Sequence, residues 1–110
     1  MEGTDARSIQ LYCDWPLREA PRRYADMRLS PYRMRYLQTL LEHCPRGGAA
    51  LETGIGTGFD SDYLSLRGVN AFGIDIVPQI PERANQIAAM LGAPARFSVG
   101  DLFEVYKEGS

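Results

Sequence analysis

Between Pro31 and Cys44 the apolar residues Met34, Leu37, Leu40, Leu41 and Cys44 return at three- and four-residue steps, the repeat of one helical face. Ser30 before Pro31 supplies a capping hydroxyl and a first-turn proline. Pro45 closes the segment, so a helix is predicted to reach about His43. A second helical pattern opens at Pro81, carries Ala84, Ile87, Ala88 and Leu91 on one face, and ends at Gly92. A third follows Gly58, includes Tyr63, Leu64 and Leu66, and stops before Gly68. Three short apolar runs separate these segments and read as strands: Ala49 to Thr53, Asn70 to Ile74 and Ala95 to Val99. Leu102 to Tyr106 reads as a single helical turn. Alternating strands and helices predict a parallel sheet with right-handed crossovers and the spatial order 3-2-1, an α/β Rossmann-like fold.

Upstream the pattern is weaker. Residues 1–13 carry little periodicity and read as an arm. Asp14 is placed to cap a helix that Pro21 interrupts, which leaves a broken helical segment from Leu17 to Met27. The 110 residues thus divide into a helical arm or lid, 1–46, and a βαβαβ half-domain, 47–110, together one domain. No internal repeat or low-complexity tract is visible.

The chemistry gathers at Leu51-Glu52-Thr53-Gly54-Ile55-Gly56-Thr57-Gly58-Phe59. This is a strand, a glycine turn and a helix start. Alternate glycines let the chain turn tightly and leave no Cβ between backbone and ligand. The helix that follows presents unpaired N–H groups. Glu52 precedes the first glycine by two positions, and Asp75 ends the next strand. Such a set describes a nucleotide or nucleoside pocket in an open α/β sheet. The dinucleotide fingerprint requires a glycine or small residue where Phe59 stands. The phosphate loop requires a Gly-Lys pair that is absent here.

Glu52-Thr53-Gly54-Ile55-Gly56-Thr57-Gly58 resembles the first motif of the class I S-adenosylmethionine-dependent methyltransferases. Gly73-Ile74-Asp75-Ile76 resembles their second motif and Val99-Gly100-Asp101-Leu102 their third. The resemblance runs from about Ala49 to Phe103. It implies a methyltransferase, or its N-terminal cofactor-binding half, with S-adenosylmethionine as cofactor. On that likeness Gly54 and Gly56 pass against the methionine part, with Gly58 completing the turn. Glu52 holds the amino group and Asp75 accepts the ribose hydroxyls. Ile76 and Leu102 enclose the adenine, and Asp101 accepts its exocyclic amine. Plainer readings stand beside these: a helix or turn cap for Asp75, and a simple turn for Asp101. Thr53 departs from the apolar residue usual in the family and brings a hydroxyl that needs a partner.

No catalytic residue is assigned, because acceptor-side groups of the resembled family often follow a fourth strand. That family has about seven strands and this chain supplies three, so the outer edge of the first strand is expected to be bare. A fragment of a longer enzyme, pairing with another chain or a second copy, or coverage by the N-terminal helices would each resolve it. The first two are favoured here, so a homo-oligomer or a chain completed by another segment is expected. The competing function is a non-catalytic S-adenosylmethionine-binding partner or regulatory module. A nicotinamide-binding half-domain and an aminopropyl transferase are further readings.

Charge and composition narrow the partners. The net charge is −2, so no global field favours nucleic acid or membrane. Basic residues outnumber acids in 1–46 and the balance reverses beyond, which suits a cationic ligand in the second part. No run of apolar residues is long enough to span a bilayer, and no leader pattern is seen. Cys13 and Cys44 are too far apart in sequence to suggest a metal site or redox pair. A cytoplasmic protein with two free thiols, no metal and a small-molecule acceptor is expected. His43 reads as a helix C-terminal cap or surface residue. Tyr12, Trp15, Tyr24, Tyr32 and Tyr36 with Arg22, Arg23, Arg28, Arg33 and Arg35 make the N-terminal part aromatic and basic. Three readings remain for it: a solvated helical face, a cofactor lid in which an arginine meets the cofactor carboxylate, and an RNA-binding surface.

Overall fold

The computed structural model describes residues 2–101, without the side chains of 2–6 and 8. Leu102, and the helical turn expected from Leu102 to Tyr106, lie outside the described residues. Eight regular elements follow in order: α1 Glu2–Cys13, α2 Ala20–Met27, α3 Pro31–His43, β1 Ala49–Thr53, α4 Phe59–Ser65, β2 Asn70–Asp75, α5 Gln79–Leu91 and β3 Arg96–Val99. A 3-10 turn at Leu17–Glu19 precedes α2.

The first correction falls on the arm. Glu2–Cys13 is a helix, although its apolar residues do not form a continuous stripe. It is held from outside: α1 packs along α5, and Tyr12 and Cys13 reach the core beneath it. Tertiary packing overrides a weak local pattern here. The second correction concerns the caps. Asp14 caps nothing; the 3-10 turn starts at Pro16 without a side-chain cap. Pro21 does not interrupt a helix but sits in the first turn of α2, where a missing N–H costs no hydrogen bond. α3 is as expected, with Ser30 Oγ accepting from Arg33 N at 3.2 Å. The ring of His43 meets the carbonyl of Thr39 at the helix end.

The three strands are parallel, with β2 between β1 and β3. Alternation along them is plain: Ala71, Gly73 and Phe97 are buried, while Leu51 and Phe72 remain half-exposed. Leu51 and Phe72 are register partners, so they form one apolar pair on the less covered face. α4 and α5 pack against the other face.

Two apolar clusters support the sheet. Ile55, Leu64, Val69, Ala71, Ile80, Ala84, Ala88, Ala95 and Phe97 fill the space between the strands and α5. Trp15, Ala20, Tyr24, Leu37, Phe59, Tyr63 and Ile87 join the N-terminal helices to α4 and α5. Leu40 and Leu41 of α3 touch both clusters. The helical N-terminal part is therefore seated on the half-domain through a shared core. Each large apolar side chain fully buried there, such as Leu37 or Ile87, contributes about 1.5–3 kcal/mol.

Candidate functional site

At the carboxyl end of β1 the chain turns through Gly54, Gly56 and Gly58, all at positive φ. Their surroundings differ. A Cβ at Gly54 would meet nothing within 4 Å, so the space above it is open. A Cβ at Gly56 would stand 3.2 Å from Tyr12 Cε1. A Cβ at Gly58 would collide with Phe97 Cζ at 2.6 Å. Gly58 therefore serves the packing of α4 on β3 and faces Phe97, whereas Gly54 and Gly56 border open space.

Asp75 fixes the shape of this crevice. Its Oδ2 accepts from Ile55 N at 3.2 Å and its Oδ1 accepts from Val77 N at 3.0 Å. One carboxylate thus ties the glycine turn to the loop after β2. Each oxygen keeps a second lone-pair site for another donor. The backbone adds two ties: Gly54 N donates to Ile74 O at 3.2 Å, and Gly100 N donates to Asp75 O at 3.0 Å.

Two cavities open on either side of Gly54. The smaller, about 220 Å³, is lined by Thr53, Gly54, Ile74, Asp75, Ile76, Gly100 and Asp101. Asp101, distant in sequence, is thereby brought beside Asp75 and Ile76. The larger, about 790 Å³, is bordered by Glu52, Gly54 and Gly56 and by Tyr12, Arg33, Tyr36 and Asp60. Gly54 belongs to both walls. Thr53, singled out for its hydroxyl, is exposed and so meets solvent.

The larger cavity is charged on one wall. Glu52 Oε1 accepts from Ser61 Oγ at 2.6 Å. Burial pushes its carboxyl up to about 7, and the charge of Asp60 adds to this, against the Ser61 hydrogen bond and Arg33. Arg33 Nε donates to Asp60 Oδ1 at 2.6 Å across the contact of α3 with α4. Among the described residues that border this cavity, Arg33 is the one basic side chain. Its part could be heard only faintly in the sequence, as the excess of arginine and tyrosine before position 46. Nothing in the sequence pairs it with Asp60.

Asp62 is a further acid that sequence reasoning missed. It is wholly buried on α4, and neither carboxylate oxygen has a hydrogen-bond partner. Burial, then the neighbouring charge of Glu52, push it up to about 8. Among the described residues no group of His, Cys, Asp and Glu side chains is arranged to hold a metal ion.

No family model matches the sequence. Over 79 residues, 71% of the chain, it is 32% identical to the protein-L-isoaspartate O-methyltransferase of Chlorobium limicola, and covers 36% of that protein. It is 34% identical over 71 residues, 64% of the chain, to the enzyme of the same name from Chlorobaculum parvum, covering 32% of it. Among solved structures, a TehB-like S-adenosylmethionine-dependent methyltransferase from Corynebacterium glutamicum matches 60% of the chain with a TM-score of 0.51 and 33% identity, over 34% of its own length. These matches support a class I S-adenosylmethionine-dependent methyltransferase. A second structure, from the conversion of a disulfide bond into a thioacetal group during echinomycin biosynthesis, matches 60% of the chain at a TM-score of 0.53 and 32% identity, over 28% of its own length. The chain spans about a third of the length of the curated methyltransferases it matches. Three strands in an open sheet agree with an incomplete methyltransferase fold.

Proposed function

We propose that this chain binds S-adenosylmethionine and forms the cofactor-binding part of a methyltransferase. The observation that carries the reading is the meeting of the two cavities at Gly54. A ligand with a nucleoside at one end and an amino acid at the other needs two chambers joined over a backbone without a side chain. The open space at Gly54 fits that need.

In this reading the smaller chamber takes the adenosine. Asp75 receives the ribose hydroxyls on its free lone pairs, Ile76 offers its largely exposed side chain to the adenine, and Asp101 stands at the base edge. The larger chamber takes the amino-acid end, with Glu52 for the ammonium and Arg33, braced by Asp60, for the carboxylate. Charge-assisted bonds of this kind are roughly twice as strong as neutral ones. The bound sulfonium supplies an already electrophilic methyl group. The chain's task is then to hold the donor in line with an acceptor and keep water out, an effect of orientation that can reach about 7–11 kcal/mol.

The names of the two curated relatives favour a protein carboxyl as acceptor over the small molecule expected from the sequence alone. The half-exposed Leu51–Phe72 pair beside the outer edge of β1 supports a sheet covered by further chain or by a second copy. No helix of the described residues is long and apolar enough to cross a membrane.

Titration calorimetry tests the reading. S-adenosylmethionine and S-adenosylhomocysteine should both bind, and NAD should not. Binding of NAD alone, or of none of the three, would end it.

A further inference from the structure

One part of the ligand has no partner in the site described above. The two ends of S-adenosylmethionine are met by Asp75, Ile76 and Asp101 and by Glu52 and Arg33, but the sulfonium between them is not. It carries a positive charge and no hydrogen on sulfur, so it can be recognised by charge alone. With the nucleoside in the smaller chamber, the sulfonium lies just past Gly54, inside the larger one. The acids on that wall are already engaged: Glu52 with Ser61 and the ammonium, Asp60 with Arg33. The face of an aromatic ring also attracts a cation. We propose that the Tyr12 ring is the seat of the sulfonium and distinguishes the methyl donor from its demethylated product. This inference rests on the S-adenosylmethionine reading above.

Geometry singles out Tyr12 among the tyrosines of this cavity. Gly56 lies two residues past the junction of the chambers, and the Tyr12 carbons Cε1, Cζ and Cδ1 stand 3.2, 3.3 and 3.7 Å from where a Cβ on Gly56 would be. The bare backbone lets the ring approach the turn, and Tyr12 still borders the cavity. Tyr32 and Tyr36 flank Arg33 on α3 and are 86% and 52% exposed, where water weakens attraction to a cation. Tyr12 is half-buried and packs against the core, a setting in which the attraction is stronger. Among the described residues, the arginines that stack on aromatic rings lie over Trp15 and Tyr63, so no guanidinium competes for the ring of Tyr12. That ring is also held in place: α1 packs along α5, and the next residue, Cys13, reaches the core beside it.

The charge that Tyr12 recognises is lost in the reaction. As the methyl group bonds to the acceptor, the electron pair of the broken carbon–sulfur bond returns to sulfur, and the sulfonium becomes a neutral thioether. The ring then has no cation to hold. Tyr12 therefore favours capture of the donor and departure of the product. It does not speed the chemical step, because the positive charge on sulfur is already fading in the transition state.

The test compares S-adenosylmethionine with S-adenosylhomocysteine, which differ by the methyl group and the charge, in titration calorimetry. It uses wild type, Tyr12→Phe, Tyr12→Leu and a protein with pentafluorophenylalanine at position 12, whose fluorines keep the ring but remove the negative charge of its face. Tyr12→Phe should keep the wild-type ratio of the two affinities. Tyr12→Leu and the fluorinated protein should lose roughly 5- to 30-fold in affinity for S-adenosylmethionine and far less for S-adenosylhomocysteine. Equal losses for both ligands in Tyr12→Leu would mark a ring that merely packs, and would overturn the proposal while leaving the S-adenosylmethionine reading intact. A ratio that moves in Tyr36→Leu and not in Tyr12→Leu would overturn it as well. Wild type that binds neither ligand would overturn that reading and this inference together. If Tyr12→Leu does not fold, the fluorinated protein decides: a ratio equal to that of Tyr12→Phe overturns the proposal.

Discussion

Tyr12 rests its ring on Gly56. A side-chain carbon at position 56 would stand 3.2 Å from Tyr12 Cε1 and 3.3 Å from Cζ. The first helix of the chain thus touches the glycine turn at the residue where backbone must stay bare. Gly54, two residues earlier, has no such neighbour.

That contrast makes the two glycines separable. Gly54→Ala introduces only the strain of a positive φ, about 1–2 kcal/mol, and no collision. Its methyl group would stand where the two cavities join, so S-adenosylhomocysteine affinity should fall far more than stability does. Gly56→Ala adds the contact with Tyr12 and should lower both. Calorimetric affinity and melting temperature, measured on each variant, check the pattern. Equal loss of affinity and stability for Gly54→Ala would remove that residue from the site.

Glu52 gives the proposed site a pH dependence with a defined sign. Its folded-state value of about 7 lies above the ordinary carboxyl value of 4.5. Below about pH 7 the group is neutral and accepts an ammonium poorly; above it the carboxylate forms. Affinity for S-adenosylhomocysteine should therefore rise from pH 6 towards pH 8. Affinity for 5′-methylthioadenosine, which has no ammonium, should stay level. Matching profiles for the two ligands would show that Glu52 does not hold the amino group.

Stability should move the other way with pH. Glu52 and Asp62 both bind their protons more tightly folded than unfolded. The folded state then holds more protons between the unfolded and folded values, and stability falls as pH rises through that window, from about 4 to about 8. Thermal unfolding should show a falling melting temperature over this range. Asp62→Asn should flatten the fall and raise stability at pH 8. A melting temperature that climbs towards pH 8 in wild type would contradict the assignment of both acids.

Asn85 is a purely structural prediction. Its Nδ2 donates to Phe97 O at 2.8 Å and its Oδ1 accepts from Phe97 N at 3.0 Å, so one side chain on α5 clamps both backbone groups of Phe97 in β3. Asn85→Leu leaves them unpaired near a buried ring, which should cost roughly 1–3 kcal/mol per group left without a partner. Chemical denaturation should show the midpoint fall with ligand contacts untouched. A neutral outcome would mean that β3 is held by its ladder with β2 alone.

Much of this architecture was written in local pattern. β1 runs from Ala49 to Thr53 and α3 from Pro31 to His43, as periodicity and capping chemistry require. Gly92 ends α5 in a left-handed conformation, again a local signal. α5 itself begins at Gln79, two residues before the proline expected to open it, because proline is accepted within a first turn. α1 was illegible because its helicity depends on α5, seventy residues away in the chain. The site divides in the same manner. Glycines and acids at strand ends announce themselves by spacing. Arg33 bound to Asp60, the Asn85 clamp and the burial of Asp62 depend on which faces of separate helices meet, and no single-sequence pattern encodes that.

Ile74 and Asp75 end the central strand, and between them they receive Gly54 N, Ile55 N, Val77 N and Gly100 N. The loops that follow β1, β2 and β3 are all moored to these two consecutive residues. Such a crevice is already set when a guest arrives, so little ordering entropy remains to oppose its entry. Recognition here is largely completed during folding, and the isotope exchange of those four amides should be nearly the same in the free and the loaded protein.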